Sequence, residues 1–273
     1  MDQADLLGFP AEGLLSAGRV GQVSYRSAEP YPHICLDGFW NAGVVSRVAD
    51  EFPELGGEGD IRFNDPNQRK FASRGEERFG AVTRELVHFM NSQPFLEYLS
   101  ALTGIGGLIP DPYFSGGGLH EIRRGGFLKI HADFNRHAEL GLDRRINLLL
   151  YLNENWEESY GGHFELWDGD MRCVKKFLPV FNRMIIFNTT DQSYHGHPDP
   201  LTCPEDRSRR SLALYYYSNG RPRGEVRDEN RINTNFKARG EDSVKMKNYN
   251  RVKDFVTNVT PPFLLKLLYK RIK

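Results

Sequence analysis

The residues best suited to chemistry are His131 and Asp133, in the run KIHADF, and His195, in SYHGHP. The first two lie two apart on what reads as a strand. Period-2 geometry then puts both side chains on one face, about 7 Å apart along the chain. Leu128 and Ile130 mark that strand as buried or half-buried, a poor place for a charge without a partner. Two imidazoles and one carboxylate can hold three sites on one face of a ferrous ion and leave the others for an oxidant and a substrate. Further on, Arg209 and Arg210 precede SLALYYYS, a strand that would cross near the second histidine. An arginine there suits the far carboxylate of a diacid, gripped by a bidentate pair.

Such a constellation needs strands to hold it. From about residue 105 the chain runs as short β-rich segments: GGLHEI, GFLKIHADF, RINLLLYLN, GHFELWD, RMIIFNT and RRSLALYYYS. Gly, Asp and Asn turns separate them, the pattern of a sandwich or barrel. Upstream, residues 31–40 read as a strand leading into a turn. Asn41 then caps a helix carrying Val44, Val45, Val48 and Ala49 at helical spacing, with Pro53 past its end. Residues 76–90 are helical in pattern, and a second helix follows Pro94 and closes at Gly104. The first thirty residues read as partly irregular. Residues 54–75, rich in Gly, Asp, Asn and Arg, read as a loop. Together with the Pro-stiffened stretch 198–208 they are expected to form a lid at the pocket mouth, with Arg62, Arg69 or Arg74 available for an anionic or polyhydroxyl group.

Composition narrows the setting. The 273 residues suit one decorated domain or at most two. Lys+Arg 36 against Asp+Glu 36 leaves no global positive field, so no nucleic-acid partner is expected. Three cysteines cannot build a disulfide framework and none stands in a zinc-like spacing. The first residues carry no basic-then-apolar signal, and no apolar run approaches the ~18 residues of a membrane span. A cytoplasmic location is therefore expected. The chain ends in a basic amphipathic segment, residues 262–273 (PFLLKLLYKRIK), for which helix packing is favoured over weak peripheral membrane contact. Oligomeric state is left open.

The ordered set His131-Ala-Asp133, Tyr151-Leu152-Asn153, Trp156, Gly161-Gly162, Arg183-Met-Ile-Ile-Phe, His195 and Arg209-Arg210-Ser211 resembles the Fe(II)/2-oxoglutarate-dependent dioxygenases of the prolyl 4-hydroxylase type. The resemblance covers about residues 105–218 and, loosely, the strand and helix that begin near Tyr31. It implies a mainly β fold with flanking helices: a double-stranded β-helix, or jelly roll, with the N-terminal helices packed on one sheet. The regions expected are a strand/helix part over 1–104, the dioxygenase core over 105–220, and a polar segment with the C-terminal helix over 221–273. The resemblance further implies His131, Asp133 and His195 as iron ligands, Arg209 as partner of the 2-oxoglutarate C5 carboxylate and Tyr151 as its hydroxyl donor, with Ser211 assisting. His197 competes with His195, and Arg210 with Arg209; spacing and strand alternation favour His195 and Arg209.

Asn147, on the Tyr151 face of its strand, is a further candidate for the cosubstrate. Asn135, Arg136 and His120 are candidates for the substrate, and Tyr215–Tyr217 read as sheet packing. The implied activity is hydroxylation or other oxidation of an unactivated C–H bond with Fe(II), 2-oxoglutarate and O2, releasing succinate and CO2, with ascorbate as a reductant. A polar small metabolite is favoured as substrate, a prolyl residue in a peptide is the alternative, and a jelly-roll protein that binds metal or ligand without turnover is the reading of another class.

Overall fold

The apolar runs that begin near residue 105 become the strands of one continuous antiparallel system. The computed structural model describes residues 3–259. Its N-terminal part holds α1 (Gln3–Leu6), α2 (Leu14–Arg26), β1 (His33–Asp37), α3 (Ala42–Asp50), β2 (Ile61–Asp65), β3 (Gln68–Ala72), α4 (Ala81–Met90) and α5 (Gln93–Thr103). The core follows as β4 (Ile109–Pro110), β5 (Gly118–Arg123), β6 (Phe127–Ala132), β7 (Asp143–Tyr151), β8 (Phe164–Trp167), β9 (Cys173–Phe177), β10 (Arg183–Asn188), β11 (Tyr194–His197) and β12 (Ser208–Ser218). The chain then adds β13 (Asn235–Phe236) and α6 (Val244–Val259).

Strand order runs β1-β10-β7-β12-β5-β3-β6-β11-β8-β9. The β5-to-β1 half and the β6-to-β9 half face each other. Phe187 of β10 lies 5.3 Å from Phe164 of β8 and 4.7 Å from His195 of β11, ring centroid to centroid. This is the expected jelly-roll core. Alternation sorts its side chains: Leu148, Leu150, Met184, Ile186, Leu212 and Leu214 face the helices and pack with Val45, Leu86, Phe95 and Leu99. Their odd-numbered neighbours, Asn147, Leu149, Phe187, Arg209 and Ser211, face the interior between the two halves.

Four expectations are corrected. Residues 61–72 are not a loop but the β2–β3 hairpin, built into the sheet: Phe71 and Ala72 oppose Glu121 and His120 of β5, while Gln68 and Arg69 oppose Leu128 and Phe127 of β6. β3 thus bridges the two halves, and its polar residues concealed it. The stretch 198–208 is no lid, because Leu201 and Cys203 are buried against Ile122 and Trp156. Residues 14–26, part of a stretch that reads as partly irregular, are helical. Gly18 there allows close packing on α5, since a Cβ would meet the Tyr98 carbonyl oxygen at 2.7 Å, and exposed Val20 and Val23 blur the amphipathic stripe. Finally, α4 starts only at Ala81, where the Glu51 carboxylate accepts from the Val82 and Thr83 amides at 3.1 and 3.0 Å. That cap comes from across the fold and leaves no local signature.

The basic segment 262–273 lies outside the described residues. Among the described residues no helix is long and apolar enough to cross a membrane.

Candidate active site

His131, near the end of β6, and His195, in β11, are register partners across an antiparallel pair. Asp133 follows directly after β6 ends. The His131 Nε2 lies 3.7 Å from Asp133 Oδ1, and the His195 Nε2 lies 3.5 Å from Asp133 Oδ2. One ligand-type atom from each of the three lies within 4.8 Å of the others, and all three residues are buried. Each imidazole is oriented from behind. Its Nδ1 lies 2.8 Å from the Lys129 carbonyl in His131 and 2.9 Å from the Ser193 carbonyl in His195. A carbonyl can only accept, so both protons reside on Nδ1 and both Nε2 lone pairs face the centre.

The protonation states agree with that arrangement. Burial, with the neighbouring His195 adding to it, pushes His131 down to about 3, and burial also lowers His195. Burial works to raise Asp133, yet Arg144, the two histidines and the Asn147 amide hold its carboxyl well below the ordinary range. Neutral imidazoles beside an ionised carboxylate are what a divalent cation requires.

A second ring of contacts fixes Asp133. Its Oδ2 accepts from Arg144 Nη2 at 3.0 Å and from Asn147 Nδ2 at 2.6 Å, while Arg144 Nε donates to Asn147 Oδ1 at 2.9 Å. The Arg144 guanidinium lies 3.5 Å from the Tyr215 ring centroid. Alternation from Asn147 would bring Arg145 inward instead. The β7–β12 register shifts between Tyr216 and Tyr217, so that Tyr216 opposes Ile146 while Tyr217 opposes Arg144. This bulge turns Arg144 into the site and sends Arg145 outward to Ser218 and Glu225.

The three ligand-type side chains line one part of a cavity of about 170 Å³ that also receives Arg209, Ser211, His197, His120, Asn147 and Lys70. Arg209 is 5% exposed. Its Nε donates to the Gly162 carbonyl at 2.8 Å and its Nη2 to the Tyr151 hydroxyl at 3.0 Å, so two of its five donors fix its pose. Gly162 has φ of +73°, and a Cβ there would meet Arg209 Cδ at 3.0 Å and Leu201 Cδ2 at 2.5 Å. Gly162 therefore makes room for the arginine. Arg210 points the other way and lies over Phe52.

Other expected site residues divide. Ser211, Asn147 and His120 line the cavity, whereas Tyr151 does not: it is fully buried behind Arg209 and reaches the cavity only through it. Asn135 and Arg136 also lie off the lining. The Asn135 amide donates to Asp191 and to the Asp228 carbonyl, and Arg136 lies 3.8 Å from Asp143. His197 does not join Asp133. Both of its ring nitrogens are buried without a hydrogen-bond partner, and burial, reinforced by Arg209 and Lys70, keeps it neutral.

Several lining residues escaped the sequence reading. Phe63, Gln68 and Lys70 arrive on the hairpin, while Arg62, Arg69 and Arg74 stay off the lining. Tyr215, read as packing, lines the cavity. So do Thr234 and Phe236 of the C-terminal segment, where Phe236 opposes His131 and its ring lies 5.3 Å from the imidazole. Arg231 anchors this segment by donating to the Asp133 carbonyl at 2.8 Å. The β7 bulge and the pairing of β13 with β6 have no local sequence signal.

Comparison with known proteins fits this geometry. Residues 117–217 match the 2OG-Fe(II) oxygenase superfamily model. A stretch of 79 residues is 32% identical to prolyl 3-hydroxylase OGFOD1 of Mus musculus, covering 27% of this chain but only 14% of that protein. Among solved structures, a Pseudomonas putida prolyl-4-hydroxylase aligns with TM-score 0.50 at 17% identity, over 76% of this chain and 100% of that one. A Trichoplax adhaerens prolyl hydroxylase, solved with a hypoxia inducible factor peptide fragment, aligns with TM-score 0.51 at 16% identity, over 76% and 91%. HygX of Streptomyces hygroscopicus, solved with nickel, 2-oxoglutarate and hygromycin B, gives TM-score 0.52 at 12% identity, over 79% and 96%. At these identities the structural likenesses establish the fold.

Proposed function

We propose that this chain, a 2OG-Fe(II) oxygenase of the prolyl hydroxylase type, hydroxylates an unactivated C–H bond of a prolyl residue, with Fe(II) on His131, Asp133 and His195 and 2-oxoglutarate against Arg209. One observation carries the reading: three ligand-type side chains converge within 4.8 Å in the same cavity that a buried arginine enters.

Both groups fit the residues present. The two Nε2 lone pairs and the ionised Asp133 form a donor set for a divalent cation, held in pose by backbone carbonyls, Arg144 and Asn147. His197, buried in the wall that Arg209 also lines, has both ring nitrogens unpartnered, and the one that carries the proton can donate to a carboxylate. When bound, Fe(II) and 2-oxoglutarate with O2 supply the oxidising chemistry and release succinate and CO2. The chain's own residues bind, orient and exclude water. Arg209, steadied by Tyr151 and Gly162, takes the distal carboxylate. Ser211 and His197 complete its surroundings, and Phe164, Phe187 and Phe236 keep the centre dry.

The prolyl substrate rests on the 32% identity to a prolyl 3-hydroxylase over 79 residues. A small polar metabolite is the second reading, favoured by a cavity with three cations in its wall. Succinate release from Fe(II)-loaded protein, with proline-containing peptides in one series and small polar metabolites in the other, tests both. Stimulation by peptides supports the first reading and stimulation by metabolites the second. Tight binding of metal and 2-oxoglutarate with no turnover in either series would return the chain to the non-catalytic class.

A further inference from the structure

A cation in the cavity wall lacks an anionic partner. Lys70 sits in β3 between the residues that pair with β5 and those that pair with β6, so its side chain enters the cavity at the seam between the two halves of the sheet. Its ammonium lies 5.0 Å from the Phe63 ring centroid, and no carboxylate among the described residues lies within ion-pair distance. Burial, eased by Asp133 and reinforced by Arg209 and Arg144, lowers its pKa to about 8, which still leaves it mostly protonated at neutral pH. A half-buried charge without a counter-charge is costly unless something else supplies one.

Charge counting says what that is. The charged side chains of the lining are Lys70, Arg144, Arg209 and Asp133. Arg144 is paired with Asp133 at 3.0 Å. The charges of Fe(II) and the 2-oxoglutarate dianion cancel. Two positive charges are left over among largely buried side chains, where electrostatic attraction is stronger than in bulk water. We propose that Lys70 marks a subsite for an anionic group, a carboxylate or phosphate, on the primary substrate, with the Gln68 amide two residues away on the same face of β3. This inference rests on the oxygenase reading above and adds the substrate's charge to it. The hairpin then selects the substrate while β6, β11 and β12 carry the shared chemistry, in keeping with its position outside the 117–217 match.

The distal carboxylate of 2-oxoglutarate is the other source of such an anion, so the experiment separates the two. Protein in excess over Mn(II), saturated with 2-oxoglutarate, is titrated with inorganic phosphate, and paramagnetic broadening of the phosphorus resonance is read. Manganese and 2-oxoglutarate affinities are measured independently by electron paramagnetic resonance and calorimetry. Wild type should show saturable broadening. Lys70→Met should lose it by roughly tenfold or more in phosphate affinity, Lys70→Arg should keep it, and both should bind Mn(II) and 2-oxoglutarate as wild type does. Lys70→Gln replaces Lys70→Met if the latter does not fold. The titration is repeated without 2-oxoglutarate; absent broadening in wild type under both conditions, unchanged broadening in the neutral variants, or broadening seen only without 2-oxoglutarate would each overturn the proposal. The last outcome, accompanied by weaker 2-oxoglutarate binding in Lys70→Met, would assign Lys70 to the cosubstrate. Failure of wild type to bind Mn(II) would instead count against the oxygenase reading itself.

Discussion

His131 and His195 stand opposite one another as register partners of β6 and β11, with their ring centroids 4.3 Å apart. Strand pairing alone therefore brings together two side chains that lie 64 positions apart in sequence. The remaining ligand-type residue, Asp133, depends on more than pairing, because it follows the last residue of β6 and is aimed by Arg144 and Asn147.

That dependence gives a first prediction. Asn147→Ala should weaken divalent-cation affinity by roughly tenfold, within the 10–100-fold range typical of residues that orient metal ligands. The fold should be kept. Calorimetric titration with Mn(II) checks it, and an affinity equal to wild type would separate Asn147 from the metal site.

The cosubstrate end gives a second. Truncating a buried arginine that pairs with a carboxylate costs a few kcal/mol, so Arg209→Ala should raise the 2-oxoglutarate dissociation constant by roughly 10²-fold or more. Tyr151→Phe, which removes only the hydroxyl that accepts from Arg209, should raise it a few-fold, and Arg210→Ala should leave it unchanged. If Arg210→Ala is the impaired variant, the two arginines exchange roles.

Gly162→Ala addresses the same arginine through the backbone. A side chain at φ of +73° costs roughly 1–2 kcal/mol, and the new Cβ displaces Arg209 Cδ and Leu201. Both thermal stability and 2-oxoglutarate affinity should fall. An alanine variant with unaltered affinity would show that the pose of Arg209 does not depend on this glycine.

Glu51 connects pH to stability. Burial works to raise its pKa, but hydrogen bonds from the Val82 and Thr83 amides and the Thr83 hydroxyl hold it below its ordinary value. A carboxylate lowered in the folded state stabilises above its unfolded pKa and loses that contribution as pH falls through the lowered value. Glu51→Ala should therefore cost about 1 kcal/mol at pH 7, the usual worth of a helix cap. The difference in melting temperature from wild type should shrink below about pH 4. A difference that stays constant down to pH 3 would remove the charge from the explanation.

How far the sequence could be read follows the range of each interaction. Asn41 accepts from the Gly43 amide as expected of its position, and Gly104 closes α5 in the left-handed conformation. The core strands obey alternation, which placed Asn147, Arg209 and Ser211 inward. Three features of the site were hidden, each made by residues distant in sequence. The β2–β3 hairpin reads as loop because its polar residues become strand only between the edges of β5 and β6. Arg144 faces inward only because of a bulge opposite Tyr216 and Tyr217. Phe236 reaches His131 only after the chain returns across β6. As a consequence, residues 61–72 should resist limited proteolysis even without ligand, unlike the open lid that their composition suggested.

In the proposed function His131, Asp133 and His195 hold a ferrous ion beside a 2-oxoglutarate clamped by Arg209. Anaerobic addition of Fe(II) and then 2-oxoglutarate, followed by visible absorption, tests it most directly, since the charge-transfer band arises only when the 2-oxo acid chelates the bound iron. Wild type and His197→Ala should both develop the band, the latter at higher 2-oxoglutarate concentration, while Asp133→Ala and His195→Ala should not. A band that survives in His195→Ala and vanishes in His197→Ala would contradict the account.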